Sequence, residues 1–338
     1  MNKTPLILGI ESSCDDTSAA ILQGQKILSN IVANQEVHTQ YGGVVPELAS
    51  RAHQQNIIPV VDAAIKKANI NKEDITAIAF TKGPGLLGSL LVGSSFSKSF
   101  AMGMDIPLIA VNHMQGHILS HFIDEEETMP QFPFLCLTVS GGHTQIVQVD
   151  SPNKMEVIGT TIDDAAGEAF DKSAKVLGLP YPGGPLIDKY AKKGDIHAFE
   201  FGKPKIKGLD FSFSGLKTSI LYKIQNNMQK NPKFIEENLA NLCASIQHSI
   251  VSILLNKLEE AIKQTGIKEL AIAGGVSANS YLRSELKNLA KNKGYQLYIP
   301  KFEYCTDNAA MIAIAGYFKY LDKDFADQSE TPSARLPF

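Results

Sequence analysis

Apolar residues first concentrate at 6–10, in a β-branched and leucine-rich run that gives way at Glu11 to a string of small polar residues. Runs of the same strand-like character follow at 17–22 and 26–32, separated by polar and glycine turns, so the opening predicts a three-strand meander. Helical spacing takes over from about 45 to 68. A buried strand at 75–80, a glycine-rich helix start at 83–88, a strand at 107–111 and a helix through 113–122 complete the order β-β-β-α-β-α-β-α.

The same order then returns. The apolar run 134–139 ends in Ser140-Gly141-Gly142-His143, and 144–149 and 154–160 make a second meander. Helical segments at 164–177, 184–193, 214–224 and 232–264 precede a strand at 269–273, a glycine pair and another helix. A strand at 296–300 and a helix at 307–321 follow. The second half thus repeats the first with a helical insertion at about 184–264. The domains expected are 1–131 and 132–305, with 306–338 packing back on the first. The fold class expected is α/β: a duplicated fold of the actin, hexokinase and heat-shock ATPase (ASKHA) kind, with two RNase H-like domains. That inference is an analogy from element order, and in such folds a nucleotide's phosphates lie between the two opening turns. A doubly wound sheet alternates strand and helix and does not accommodate two meanders.

At 338 residues and 44% hydrophobic content the chain can form two real cores. The run 6–10 is too short for a membrane span and has neither a basic flank nor a cleavage signal, so no leader and no membrane segment are expected. Cys14, Cys136, Cys243 and Cys305 have no paired spacing, which speaks against a thiolate zinc site or a disulfide framework and fits a reducing cytoplasm. With 32 Lys plus Arg against 35 Asp plus Glu, the chain does not hold nucleic acid by bulk charge. Any RNA contact must be local. The stretch 203–207, with Phe211, Phe213 and Lys217, mixes cations and rings as an RNA-binding patch would, and equally reads as a solvated loop entering a helix.

Candidate chemistry falls at the turns. The first turn, Glu11-Ser12-Ser13-Cys14-Asp15-Asp16-Thr17, sets carboxylates and hydroxyls between two strands. In the second, the glycine pair at 141 and 142 lets backbone amides approach an anion, although a plain hairpin turn looks the same. Ala273-Gly274-Gly275-Val276-Ser277-Ala278-Asn279 offers a ligand site before a helix, or a simple strand-to-helix turn. His113 and His117, four apart on a helix, present two imidazoles on one face. Asp307, at the start of the last helix, would complete a two-histidine, one-carboxylate set suited to Fe(II) or Zn(II). A zinc protease needs a glutamate after the first histidine, and Met114 stands there. Asp163, Asp164 and Glu168 read as complements of a helix dipole. Asp171 lies deeper, and the Pro182-Gly183-Gly184-Pro185 turn before Asp188 offers amides at a second helix start.

Taken together, Gly9 to Thr17, Gly42 to Glu47, the His113/His117 pair, Val139 to Thr144, Asp163 to Lys172, Pro182 to Pro185, Gly274 to Asn279 and Thr306-Asp307-Asn308 resemble, in order, the TsaD/Gcp family of tRNA N6-adenosine threonylcarbamoyltransferases. The resemblance implies His113, His117 and Asp307 as ligands of one divalent metal per subunit, Fe(2+) first and Zn(2+) as the alternative. It implies Thr138, Val139, Ser140, Gly141 and Gly142 as the second phosphate loop, and Asp171, Gly184, Asp188 and Asn279 as substrate-binding positions. Glu11 is similar to an acidic residue that matters for activity, without an assigned proton transfer. Thr138 stands where some relatives place a tyrosine on the metal, so no fourth protein ligand is implied. The implied reaction takes threonylcarbamoyl-AMP to N6 of the tRNA adenosine 3′ of the anticodon, position 37, in tRNAs reading codons that begin with A, and releases AMP. Implied partners are tRNA, a TsaB-like paralogue and a TsaE-like P-loop ATPase, for this chain has no GxxxxGK[ST] motif. An ATP-dependent kinase or ATPase of the same fold leaves the histidine pair idle; a metalloendopeptidase is disfavoured by Met114, and a silent scaffold by the completeness of the set.

Overall fold

Leu6–Glu11 forms β1, whose Ile7, Leu8 and Ile10 are wholly buried, as expected of a strand covered on both faces. A computed structural model describes residues 4–35, 38, 41–123, 128–202, 204 and 206–338. The chain divides into two compact units, one of Met1–Pro130, Ser151–Met155 and Pro300–Phe338, the other of Gln131–Asp150 and Glu156–Ile299.

In the first unit β1 pairs antiparallel with β2 (Thr17–Gln23), which pairs antiparallel with β3 (Lys26–Ala33). Helix α1 (Pro46–Ala68) starts on a proline, carries Glu47 in its first turn and Lys66 and Lys67 in its last, and ends at Asn69 in the left-handed region. β4 (Ala77–Gly83) adds parallel to β1, helix α2 (Leu87–Met104) follows, and β5 (Leu108–Asn112) adds parallel to β4, giving the order β3-β2-β1-β4-β5. The short helix α3 (His113–Leu119) springs directly from the end of β5.

The second unit repeats the plan. β6 (Phe134–Val139), with six buried residues, pairs antiparallel with β7 (Thr144–Ser151), next to which lies β8 (Lys154–Thr160). Four helices follow: α4 (Ala166–Val176), α5 (Gly183–Ala191), α6 (Ser214–Met228) and α7 (Phe234–Thr265). β9 (Glu269–Ala273) adds parallel to β6, α8 (Ser280–Lys293) intervenes, and β10 (Gln296–Tyr298) adds parallel to β9. The order β10-β9-β6-β7-β8 is that of the first sheet.

At 32 residues, with a window of mean hydropathy 1.3, α7 is the one helix among the described residues long and apolar enough to cross a membrane. Its Leu242, Ile246, Ile250, Leu254 and Leu258 instead build the core of the second unit with Phe170, Phe211 and Phe213. Those two rings, stacked 6.4 Å apart and wholly buried, are not the exposed platform that the sequence allowed for RNA; burial assigns them to the core, and Lys203 and Lys205 lie outside the described residues.

The last helix, α9 (Ala309–Leu321), belongs to the first unit. It lies so close on β1 that a Cβ at Gly9 would stand 2.5 Å from the Ala309 carbonyl oxygen. The Ala309 amide donates to Ser18 Oγ, and Asn308 caps the helix by accepting from the Met311 amide. Asp307, just ahead of that cap, is thereby fixed at the end of β1.

Candidate active site

The parallel strands β1, β4 and β5 end together, Ile10 opposite Phe80 and Gly83 opposite Asn112, at the edge where open α/β sheets carry their ligands. Glu11 closes β1. It is wholly buried, and both its oxygens are engaged: Oε1 accepts from the Ser13 amide at 2.5 Å, and Oε2 accepts from the Thr81 hydroxyl at 2.7 Å and lies 3.0 Å from His113 Nδ1. Ser13 Oγ lies 3.1 Å from the same nitrogen. With its Nδ1 proton held by Glu11, His113 presents Nε2 on its other side, where Asp307 Oδ1 stands at 3.4 Å. His117 Nε2 reaches that same oxygen at 3.2 Å, and the two rings meet edge to face at 4.8 Å. The ligand atoms of His113, His117 and Asp307 all lie within 4.8 Å of one another.

The charges explain themselves. Burial alone would lower the His113 pKa, but Asp307 and Glu11 on either side raise it well above the ordinary histidine value. Burial alone would raise Asp307, and His113 and His117 drive it below the usual carboxylate range; Glu11 is held below that range by His113 in the same way. A cation is thus favoured here, whether the proton on His113 or a metal in its place. Two imidazoles with one carboxylate, one imidazole oriented from behind by a buried carboxylate, fit a first-row divalent metal. Met114 is buried with no proton chemistry to offer. Asp16, in the same opening turn, is raised to about 7 by its burial and by Asp15.

In the second unit the predicted substrate positions are joined through one run of contacts. Thr138 and Val139 are buried strand residues, so the exposed part of the predicted loop begins at Ser140. The Ser140 amide donates to the His143 carbonyl at 2.8 Å, and its hydroxyl accepts the His143 amide at 3.0 Å. A Cβ on Gly141 or Gly142 would meet nothing within 4 Å, so no packing demand of the fold calls for glycine there. The Ser140 carbonyl accepts from the Gly167 amide at the start of α4. One turn on, Asp171 Oδ1 accepts from the amides of Gly183 and Gly184 at 2.8 and 3.0 Å and caps α5. Asp188 on α5 accepts from the amide and hydroxyl of Ser280. Next to it Asn279 caps α8 through the Leu282 amide, and its Nδ2 donates to Gln247 Oε1 at 2.8 Å. The turn is drawn against β6: Gly274 has φ +87, and a Cβ there would stand 2.6 Å from the Val139 carbonyl oxygen. Ser277 Oγ, wholly buried, has no partner among the described residues.

Some contacts escape sequence reading. Ser13 lies in the first turn, where the pattern marks a hydroxyl but not its partner, whereas Thr81 and Gln247 sit in ordinary strand and helix patterns that carry no signal. Of the acidic residues read as complements of one helix, Asp164 and Glu168 pair with Lys172, but Asp163 reaches away: it accepts from the amides of Phe213 and Ser214 and from the hydroxyls of Ser212 and Ser214 at the start of α6.

Two mixed sheets of identical strand order, each with its own helices, define an α/β protein of the ASKHA kind, and similarity to solved structures of that architecture agrees. Full-length HypF in its phosphate- and nucleotide-bound form aligns with a TM-score of 0.62 at 14% identity, over 98% of this chain and 48% of that one. Component A of the Acidaminococcus fermentans (R)-2-hydroxyglutaryl-CoA dehydratase aligns with a TM-score of 0.52 at 16% identity, over 94% and 99%. At such identities only the fold is carried. The family comes from the sequence: the model of TsaD, tRNA N6-adenosine threonylcarbamoyltransferase, matches residues 26–314. Proteins of that name from Christiangramia forsetii and Porphyromonas gingivalis are 66% and 58% identical, over 98% and 99% of both chains. The chain belongs to the tRNA N6-adenosine threonylcarbamoyltransferase family, and its activity is the threonylcarbamoyl transfer that forms t6A in tRNA. Neither the kinase nor the endopeptidase alternative is favoured.

Proposed function

We propose that His113, His117 and Asp307 hold one divalent metal, Fe(2+) in the first place and Zn(2+) as the alternative, and that the turns of the second unit hold the nucleotide of threonylcarbamoyl-AMP. The observation that carries the metal reading is the convergence of both Nε2 atoms on Asp307 Oδ1, at 3.4 and 3.2 Å. When bound, the metal supplies Lewis-acid polarisation and anchoring of substrate oxygens. Glu11 is then a positioning residue for His113, since both its oxygens are engaged within the protein.

In the second unit, Ser140, Gly141 and Gly142 offer backbone to an anion where no side chain intervenes, and Asn279 and Asp188 stand at the start of α8. Thr138 and Val139 serve as the strand that carries the loop. Asp171 and Gly184 act as a pair: Oδ1 fixes the start of α5, and Oδ2, which has no hydrogen-bond partner among the described residues, is left to accept from a substrate hydroxyl.

In the proposed reaction N6 of the adenosine at position 37, in tRNAs reading codons that begin with A, attacks the carbamoyl carbon. The new N–C bond replaces the carbon–oxygen bond to phosphate, AMP leaves, and the N6 proton passes to a phosphate oxygen. A TsaB-like paralogue and a TsaE-like ATPase are the proposed partners, because the chain is near neutral and has no Walker A motif, and the cytoplasm is the proposed setting.

Metal content tests the reading. Near one equivalent of iron or zinc per chain, falling below a tenth in His117→Ala at unchanged secondary structure, is expected. Stoichiometric metal retained by His117→Ala contradicts the assigned set.

A further inference from the structure

Asn112 ends β5 and caps α3, and its side-chain amide is used at both ends. Oδ1 accepts from the amides of Met114 and Gln115 at 2.9 and 3.4 Å, and Nδ2 donates to the Pro337 carbonyl at 3.0 Å. A carbonyl can only accept, so Pro337 fixes which end of the amide faces the helix. That matters because a seven-residue helix has little stability of its own.

The same segment of chain holds the neighbouring strand end. The Ser333 amide donates to the Lys82 carbonyl, the Gly85 amide donates to the Ala334 carbonyl, and Lys82 pairs with Glu330 at 2.7 Å. The approach is close enough that a Cβ at Gly83 would stand 2.0 Å from the Ser333 carbonyl oxygen. From this strand end, Thr81 donates to Glu11 Oε2, and the Leu86 amide donates to the Ser13 carbonyl. Glu11 and Ser13 are the two groups on His113 Nδ1. Both supports of His113, the helix cap in front and the Glu11/Ser13 pair behind, therefore end on residues 333–337. Beside these bonds lies a cleft of about 320 Å³, bordered among others by Asn112, Gln115, Lys319, Leu336, Pro337 and Phe338.

We infer that residues 333–337 brace the histidine helix, and that Asn112 is a positioning residue acting through His113 and His117. The inference rests on the metal reading above.

The test uses two variants and their combination. Asn112→Ser keeps a good cap for α3 but is too short and lacks the amide needed to reach Pro337. A chain lacking Pro337 and Phe338 removes the acceptor instead. Zn(2+) affinity, measured against a competing chelator, is expected to weaken about tenfold in each, with no further loss in the double variant. Amide hydrogen exchange across 114–119 in the metal-free protein is expected to quicken in each alike, with the unfolding midpoint of the rest of the chain unmoved. Affinity and exchange within twofold of the parent in both variants, or losses that add in the double variant, would overturn the brace. If the parent itself takes up no Zn(2+), the metal reading fails, and exchange in the metal-free protein still decides the brace.

Discussion

Both oxygens of Glu11 are engaged within the protein, and its Oε2 lies 3.0 Å from Nδ1 of His113, which fits the positioning role proposed for it. Glu11→Gln turns one acceptor into a donor, which then faces either the Ser13 amide or the pair formed by the Thr81 hydroxyl and His113. Metal affinity is expected to fall about 10- to 100-fold, as it does when the group orienting a ligating histidine is lost; chelator competition reads it out, and affinity equal to the parent's would release Glu11 for another role. At Gly141 the opposite logic applies. An added Cβ meets open space, so Gly141→Ala should leave the melting temperature unchanged or slightly raised while increasing KM for threonylcarbamoyl-AMP up to about tenfold, the worth of one backbone hydrogen bond. An unchanged KM would make the turn an ordinary hairpin.

Elements are held by residues far from them in sequence. Helix α6 has no side-chain cap of its own; Asp163, about fifty residues earlier, supplies it. Burial would raise this carboxyl, but the hydrogen bonds from Ser212, Phe213 and Ser214 hold it below its ordinary 3.8. The unfolded chain therefore binds this proton more readily, so the stability contributed is complete above the ordinary value and lost as pH falls through the folded one. Asp163→Asn should cost about 0.5–2 kcal/mol near neutrality and flatten the fall in melting temperature as pH drops below the ordinary 3.8. A parallel fall in both proteins would count against the cap. Helices were legible where capping and spacing agree: the reading 45–68 meets α1 at Pro46–Ala68, and 232–264 meets α7 at Phe234–Thr265. The strand expected at 75–80 runs instead over Ala77–Gly83, because pairing with β5 carries it past the apolar run into Lys82 and Gly83.

At the scale of the molecule, two meanders in the sequence become two sheets of one strand order, and periodicity alone carried that much. The His113/His117 pair was visible through its spacing. That Asp307 would meet it came from the family resemblance and not from spacing, since the meeting depends on α9 lying against β1 at Gly9. Residues 333–338, a short mixture of small, apolar and charged types with one proline, gave no periodic signal at all, yet bond to Lys82, Gly85 and Asn112. Phe211 and Phe213 show the converse: rings among lysines suggested an RNA platform, and the sequence could not tell that the core of the second unit would claim them.

The central claim, that threonylcarbamoyl transfer runs through the centre of His113, His117 and Asp307, is tested by transfer of labelled threonylcarbamoyl from threonylcarbamoyl-AMP to unmodified tRNA, with the partner proteins present. The account predicts label in RNA with the parent chain and a loss of at least about 100-fold with His113→Ala, the scale on which removing a principal electrostatic group acts. Equal labelling by the variant would contradict it.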